Sequence, residues 1–366
     1  MNHGSIFLDL LVRFAPEGTP PWLLDLAAAG VGAGILVAMV AVIAMFCVWM
    51  ERKVAGHIQC RYGPMYVGGW HGWAQSIADG VKLLLKEDMI PLGADRPLFV
   101  LAPALVLGSI FAALAALPLA PGVFFADIDL GLFFILAMSS MTTIGVVMAG
   151  WASASKWTVY GAMREAAQVV AYEIPLGVSL LVPLIVAGTF NLNEASIHQA
   201  GWYGMHWYIF QNPFVLPAFV LFFISALAET KRAPFDLPEA ESELVAGFMT
   251  EYSGIRWSFF FMEEYAAMFL MSVVAAVFFL GGFESPFTSL ARDIFGEQHF
   301  LASLVAGLVL LFKAFGGIFL MMWLRWTLPR VRIDQVMTMG YKYLTPLALV
   351  CVLGASLFEA LWRGVA

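Results

Sequence analysis

The sequence predicts an all-α, polytopic membrane protein: a transmembrane helix bundle of eight spans with one amphipathic helix on the cytoplasmic side. Of its 366 residues, 61% are apolar and only 12% are charged, and the mean hydropathy is +0.84. Soluble globular chains average about 45–50% apolar and about 25% charged residues. Charge-free apolar runs also recur along this chain, and a helix of about 20 such residues crosses the hydrocarbon core of a bilayer.

Eight segments carry this signal, and we predict that residues 1–366 form one membrane domain that contains them all. Five include long charge-free runs, and three are less clean, among them the fourth, which holds Glu173. The predicted spans cover residues 26–50, 98–120, 130–152, 166–188, 213–230, 259–282, 300–324 and 341–361. No positively charged segment directly precedes a short apolar stretch at the start, so we expect the first span to be a retained helix rather than a cleaved signal peptide.

Lysine and arginine lie mostly on one side of this series of spans. The loops after the first, third, fifth and seventh spans hold fifteen of them, the opposite side holds three, and Lys313 lies inside the seventh span. The positive-inside rule therefore predicts that the basic loops face the cytoplasm and that both termini lie outside.

The longest basic loop, Glu51 to Arg96, contains a predicted amphipathic helix. Apolar residues between positions 73 and 85 fall on one arc at 100° per residue, and polar residues, among them Asp79, fall on the opposite arc. Such a helix can be a simple interfacial anchor. The alternative is that it roofs a cavity that opens sideways into the lipid, with Asp79 facing a polar guest or partner.

Carboxylates are concentrated between Ala228 and Ala266, at the inner edge of the membrane region. They are Glu229, Asp236, Glu239, Glu241, Glu243, Glu251, Glu263 and Glu264. Acids at the edge of a bilayer, or just inside it, are costly to keep ionised, so they usually mark a path for protons, ions or a polar ligand. The same holds for Glu173 in the fourth span, for which a protonated, hydrogen-bonded structural carboxyl is the alternative.

Two prolines shape the acidic segment. Pro234 and Pro238 lack an amide donor and disfavour helix in the preceding residue, so the fifth span should end near Lys231 and a structured loop should follow. In a regular helix beyond it, Glu239 and Glu243 would share a face while Glu241 points away. Either the backbone is irregular or only some of these acids face inward. A solvated acidic loop that docks a basic partner is the alternative, although apolar residues interleave the acids.

Residues suited to redox cofactors are not grouped in this sequence. The three cysteines, Cys47, Cys60 and Cys351, form no cluster spacing, and no histidine falls in the middle of a predicted span. No phosphate-binding loop, nucleotide fingerprint or nucleophile elbow is present. We therefore expect this chain alone to bind no haem, flavin, iron–sulfur cluster or metal, and a partner would handle electrons or nucleotides.

Five motifs together resemble the H subunit family of bacterial NADH:quinone oxidoreductase, respiratory complex I, to which mitochondrial NADH dehydrogenase subunit 1 also belongs. The resemblance spans roughly residues 50–347. The motifs that carry it are ERKVAGHIQCRYGP, ADGVKLLLKEDMIP, WASASKW, AYEIPLG and, most specifically, AETKRAPFDLPEAESELVAGFMTEYSG.

The resemblance implies a subunit at the heel of the membrane arm of a proton-translocating oxidoreductase in the cell inner membrane. Its first span, amphipathic helix and sixth span would form much of a tunnel for the substrate quinone, at which Arg52, Arg61 and Asp79 match family positions. Other membrane-arm subunits and the peripheral quinone-site subunits would be its partners. The acids that match the family's proton path are Glu173, Glu229, Glu239, Glu241, Glu243 and Glu264.

The chain departs from the family pattern at a few positions. The segment Val67–Gln75 is one residue longer, and Met65 replaces a common asparagine. Glu263 stands where a small residue is expected, and its simplest interpretation is an outward-facing side chain at a helix end. We expect Lys313 to reach a membrane boundary or to pair with a neighbouring subunit.

Two other function classes stay open at this point. The anchor subunit of an energy-converting hydrogenase shares the fold without using quinone, but it should lack the tunnel residues between Arg52 and Asp79. An independent secondary transporter is the third class, although the sequence has no internal repeat or paired broken helices of the kind many transporters show.

Overall fold

The computed structural model describes residues 20–237, 244–296 and 300–362, which form a bundle of long helices. The α-helices of these residues, in chain order, are α1 (Pro21–Ile58), α2 (Gln75–Leu85), α3 (Arg96–Ala115), α4 (Gly131–Ala152), α5 (Lys156–Ala187), α6 (Leu192–Ile197), α7 (Gly201–Gly204), α8 (Tyr208–Gln211), α9 (Val215–Glu229), α10 (Gly254–Phe279), α11 (Pro286–Phe295), α12 (Phe300–Thr327), α13 (Ile333–Thr338) and α14 (Thr345–Trp362).

Shorter elements connect these helices. Two short antiparallel strands, β1 (Pro118–Ala120) and β2 (Val123–Phe124), form a hairpin between α3 and α4. Single 3₁₀ turns occupy Trp70–Gly72 and Gly247–Met249. The π-helical turn Met339–Leu344 joins α13 to α14, so that the chain is helical without a break from one to the other.

Seven helical stretches of the described residues are long and apolar enough to cross a membrane. They are α1, α3, α4, α5, α10, α12 and the joined stretch Ile333–Trp362. The predicted fifth span corresponds to α9, which has 15 residues and is therefore about 22 Å long, against about 30 Å of hydrocarbon. The predicted all-α, polytopic fold is confirmed, whereas the number of eight crossings stays a prediction.

Several helices extend well beyond the predicted spans. Helix α1 has 38 residues and ends at Ile58, eight residues past the predicted end at residue 50, so Glu51 and Arg52 lie on a continuous helix. Helix α5 begins at Lys156, ten residues before the predicted start at residue 166. An apolar run marks only the part of a helix that is suited to the hydrocarbon core. The helix itself continues through polar residues that have adequate helix propensity.

Helix α10 lies at the centre of the bundle. Of its most apolar stretch, 89% is buried by the rest of the chain, against 28% for the corresponding stretch of α12. It packs against α1, α3, α9 and α12. Because a helix surrounded by other helices is apolar on all sides, its sequence shows no separate polar face.

The amphipathic helix predicted in the first basic loop is α2, which packs against α1 and α10. The preceding loop is tied to the end of α1, because Lys53 Nζ donates to the carbonyl of Pro64 at 2.5 Å and Trp49 Nε1 donates to that of His71 at 3.1 Å. The longer segment Val67–Gln75 turns within this loop. Gly72 has φ +62° there, and an added Cβ would lie 2.6 Å from the carbonyl carbon of Pro64, so only glycine fits.

Candidate functional site

Several long helices meet near their ends around two consecutive basic residues, Lys231 and Arg232, in the turn after α9. Lys231 has a positive φ of 56°, and the backbone N–H of Arg232 donates to the carbonyl of Leu227 at 3.2 Å, which turns the chain back into the bundle. Gln168 of α5 holds this turn by donating to the carbonyls of Ala228 and Phe235 at 2.7 and 2.8 Å.

Arg232 is the centre of one buried group, here called the arginine cluster: Glu51, Arg232, Glu264, Tyr265 and Arg325. Nη1 of Arg232 donates to both carboxylate oxygens of Glu51 at 3.0 and 3.1 Å, and its Nε lies 2.8 Å from Oε1 of Glu264. Tyr265 Oη donates to Glu51 at 2.6 Å, and Arg325 of α12 pairs with the same carboxylate. Two arginines thus balance two carboxylates.

The surroundings of Arg232 decide its charge. Its side chain is only 2% exposed, and burial by itself would lower the pKa of its guanidinium. The carboxylates of Glu264 and Glu51 outweigh burial and raise that pKa well above its ordinary value. The guanidinium is therefore a fixed positive charge inside the bundle.

Lys231 is the centre of the second group, here called the lysine cluster: Glu165, Lys231 and Glu263. Its Nζ lies 2.5 Å from Oε1 of Glu165 and 3.4 Å from Oε2 of Glu263, and it stands 5.6 Å from the ring centroid of Phe248. All three charged side chains are at most 5% exposed. Two carboxylates face one ammonium group, so the three formal charges sum to −1.

The interpretation of Glu263 as an outward-facing residue at a helix end is wrong. Helix α10 begins at Gly254, nine residues earlier than Glu263, so this position lies more than two turns inside the helix. Its side chain points to Lys231 in the bundle. The apolar run from which the span was predicted starts later, which made Glu263 look like a terminal residue.

Two of the predicted relay acids lie beyond the lysine cluster. Glu229 is the last residue of α9 and interacts electrostatically with Glu173, Glu263 and Lys231; its Oε2 is buried without a hydrogen-bond partner among the described residues. Glu173 is half-buried on α5 and accepts a hydrogen bond from Ser140 of α4. Glu264, a third predicted acid, belongs to the arginine cluster.

Three predicted relay acids, Glu239, Glu241 and Glu243, fall within residues 238–243, outside the described residues. Their neighbour Asp236 lies 3.4 Å from Arg330 as an ion pair.

The residues predicted for quinone binding are only partly brought together. Nη1 of Arg52 lies 2.5 Å from Oδ2 of Asp79, which joins α1 to α2, and Lys82 lies 3.3 Å from the other oxygen. Partial burial opposes ionisation of Asp79, but the hydrogen bond and charge of Arg52 hold the pKa of Asp79 below its ordinary value. Arg61 is exposed and instead donates to Gln59 at 2.6 Å.

Sequence reasoning missed most of the two clusters. Lys231, Arg232 and Arg325 entered it only among the fifteen basic residues of the loops, Glu51 only as the start of the longest basic loop, and Glu165 was not singled out. A signal was present, since Glu165 and Glu173 lie eight residues apart on one helix and so share a face. The pairing of Glu51 with Arg232, 181 residues apart, has no such local signal.

The ammonium group of Lys313 is bound within this chain. Its Nζ donates to the backbone carbonyls of Leu280, Gly282 and Glu284 at 2.7–2.8 Å, just beyond the end of α10, and lies over the ring of Trp207. These carbonyls follow the C-terminus of a helix, where a cation is favourable. Within the described ranges, no group of three or more histidine, cysteine or acidic side chains is placed to hold a metal ion.

Comparison with known proteins agrees with the motifs. Residues 31–356 match the family model described as NADH dehydrogenase. The chain is 42% identical to the H subunit of NADH-quinone oxidoreductase from Chlorobium luteolum over 95% of this chain and 92% of that protein. It is 45% identical to the protein of that name from Chlorobaculum tepidum, over 83% and 84% of the two chains. For Geobacillus sp. strain WCH70 the identity is 44%, over 94% and 98%. The resemblance drawn from the motifs is confirmed, and the chain belongs to the NADH dehydrogenase family that includes the H subunit of NADH-quinone oxidoreductase.

Proposed function

We propose that this chain is the membrane subunit of a proton-translocating NADH–quinone oxidoreductase in which quinone reduction is coupled to proton movement. One observation carries the proposal: the paired arginine and lysine clusters, buried where several long helices meet near their ends. Ionisable side chains are rarely kept inside a membrane bundle unless they serve a charge pathway. The relatives' name supplies the reaction to which that pathway is coupled.

The quinone would enter along α1, α2 and α10. An isoprenoid tail needs a long apolar wall, and the exposed side chains of Ile77, Val81 and Leu84 on α2 are of that kind. The Arg52–Asp79 pair stands where α2 meets α1 and would lie in the polar neighbourhood of the tunnel. Residues of the peripheral subunits would hold most of the headgroup.

Coupling would begin at Glu51. Arg52 belongs to the pair with Asp79 and Glu51 to the arginine cluster, and the two are consecutive on one helix. A change of charge or position at the quinone side therefore reaches Arg232 through a single turn of α1. In a low-dielectric interior such a change alters the proton affinity of every nearby carboxyl.

The proton path would continue from one acid to the next. From the arginine cluster it would run through the lysine cluster to Glu229 and then to Glu173 with Ser140. Glu239, Glu241 and Glu243, which follow this turn in the sequence, would supply further carboxyls. The work is considerable, since each elementary charge that crosses 100 mV costs about 2.3 kcal/mol.

The position of the subunit in the membrane follows from its charges. The basic loops would face the cytoplasm and both termini the outside of the cell inner membrane. Other membrane-arm subunits, the peripheral quinone-site subunits and the lipid bilayer would be its partners. We favour this function over a hydrogenase anchor because the three relatives compared above are named for quinone oxidoreduction.

The test is the substitution Glu229→Gln, with Glu241→Gln as a second variant. Membrane vesicles that contain the assembled complex are given NADH and a short-chain quinone, and electron transfer and internal acidification are followed together. We expect both to fall in each variant, because a relay carboxyl is lost. NADH oxidation by an artificial acceptor that bypasses quinone should not change.

Asp334→Asn is the matched control, because Asp334 is 73% exposed at the start of α13 and belongs to neither cluster. Wild-type electron transfer and acidification in Glu229→Gln, with full assembly, would refute a relay role for that residue. Loss of acidification in the control as well would show that the assay reports assembly rather than proton transfer.

A further inference from the structure

A second amphipathic helix, α11, lies at the opposite end of the bundle from α2. Helix α10 has 26 residues and is about 39 Å long, enough to separate the two membrane boundaries. The end of α2 packs at its start, where an added Cβ on Gly254 would lie 2.9 Å from the carbonyl of Lys86. Helix α11 follows the other end of α10, so α2 and α11 belong to opposite membrane surfaces.

One side of α11 is packed on the protein. Thr288 and Ala291 are buried, and the helix contacts α7 and α12. Its start is fixed by Ser285 and Thr288, since the N–H of Ser285 donates to Thr288 Oγ1 at 2.7 Å and the N–H of Thr288 donates to Ser285 Oγ at 3.3 Å. Near its end Arg292 pairs with Glu284, which is fully buried. The rotation of the helix about its axis is therefore fixed.

A second side of α11 is apolar and uncovered. Phe287, Leu290 and Ile294 are 71%, 57% and 65% exposed. At 100° per residue these three positions fall within about 60° of one another. Asp293 is also exposed; it lies about 100° from Ile294 and about 120° from Phe287, but about 60° from Leu290, so it stands at the border of the apolar side. The helix thus has a protein side and an apolar side that Asp293 borders.

Helix α12, against which α11 packs, also exposes large apolar side chains. Helix α12 begins with Phe300, which is 74% exposed, and Phe312 on the same helix is 81% exposed. Helix α12 is long enough to span the membrane and only 28% of its most apolar stretch is buried by the described residues, so these side chains suit contact with lipid. Helix α11 packs against this helix and ends at Phe295, five residues before α12 begins at Phe300, so it lies near the point where α12 would enter the bilayer.

We propose that α11 is an interfacial helix. Its apolar side, formed by Phe287, Leu290 and Ile294, inserts into the boundary between headgroups and acyl chains of the outer leaflet. A helix with one apolar and one polar side lies in that plane when its apolar side is buried by lipid. Through Arg292 and Glu284 it also fixes the turn after α10. The inference does not depend on quinone or proton chemistry.

The test places a photoreactive benzoylphenylalanine at single positions of the complete complex, in vesicles of phosphatidylcholine that carries a clickable acyl chain. Phe287 and Ile294 are the test positions, and the first replaces one exposed aromatic residue by another. Asp293 is the matched control on the same helix, and Phe312 is the control for a side chain facing lipid. Only complex that elutes at its full size is irradiated.

We expect lipid adducts at Phe287 and Ile294 that are comparable to those at Phe312 and at least about fivefold stronger than at Asp293, as the depth of an interfacial helix requires. A protein adduct in place of a lipid adduct at both test positions would show that a neighbouring subunit covers this side, and would overturn the proposal. No adduct at either, with the Phe312 control positive, would show that the side faces water and would overturn it equally.

Discussion

Replacement of Arg232 by methionine tests whether the arginine cluster is the buried charge centre of this fold. The substitution keeps an unbranched side chain but removes the contact at 2.8 Å to Glu264 and the two hydrogen bonds to Glu51. Glu51 keeps Tyr265 and Arg325 as partners, whereas Glu264 loses its ion pair with Arg232. Breaking a buried ion pair from one side costs about 3–5 kcal/mol, because a charge stays buried without compensation.

The assay uses Cys47, which is fully buried on α1 one turn before Glu51, as a reporter of local opening. Alkylation of its thiol in the intact complex is followed by mass spectrometry of the peptide, with the exposed Cys60 as a positive control. Loss of about 3–5 kcal/mol corresponds to opening that is more than about 100-fold more frequent. We therefore expect Cys47 to be alkylated faster by that factor in Arg232→Met.

The double variant Arg232→Met/Glu264→Gln separates charge from packing. It removes both members of the pair, so the uncompensated carboxylate of Glu264 is gone and part of the stability should return. Cys47 should then be alkylated at a rate between those of the wild type and Arg232→Met. An unchanged rate in the single variant, or a double variant as fast as the single one, would refute the charge argument.

Three other changes follow from the same contacts. Asp79→Asn should lower quinone reduction without altering the pH profile of that reaction between about pH 5 and 8. Arg52 holds the pKa of Asp79 below its ordinary value of about 3.9, so the Arg52–Asp79 pair breaks only at a pH below this window. A pH profile that shifts between about pH 5 and 8 in the variant would contradict this expectation. Lys313→Met removes three hydrogen bonds to carbonyls, about 3 kcal/mol together, and should raise amide hydrogen exchange at residues 280–285 but not in α2. Gly161→Val places a Cβ only 2.8 Å from the Cα of Gly247, so it should displace the turn Gly247–Met249 and lower quinone reduction. Gly177→Ala should not lower it, because the space around Gly177 is open.

Hydropathy predicted the helices well and their ends poorly. The apolar composition and the spacing of charge-free runs predicted the polytopic α-helical fold, and the arc from Trp73 to Leu85 predicted α2, because both signals are local properties of a helix. The ends of α1 and α5 were missed, since polar residues such as Glu51 continue a helix past the hydrocarbon. The same error at α10 made Glu263 appear terminal.

The sequence indicated that the candidate site contains carboxylates, but it did not indicate which basic residues pair with them. The acids Glu173, Glu229 and Glu264 stood out because a carboxylate is conspicuous in an apolar chain. Their counterions did not, because a lysine or arginine at a membrane edge is already explained by the positive-inside rule, and Lys231 and Arg232 satisfied that rule. Only the folded chain shows that both side chains turn inward to carboxylates on other helices of the bundle.

The adjacency of Lys231 and Arg232 has a consequence for the proposed coupling. They are consecutive in a turn with a left-handed backbone at Lys231, so a shift of the backbone at one of them is transmitted to the other. The arginine cluster is balanced in charge, whereas the three formal charges of the lysine cluster sum to −1, so a proton is more favourably taken up in the latter. We therefore expect a displacement of Arg232 from Glu51 to reach Lys231 through the backbone, change its contact with Glu165 and Glu263, and so alter proton uptake at the side of the turn nearest Glu229.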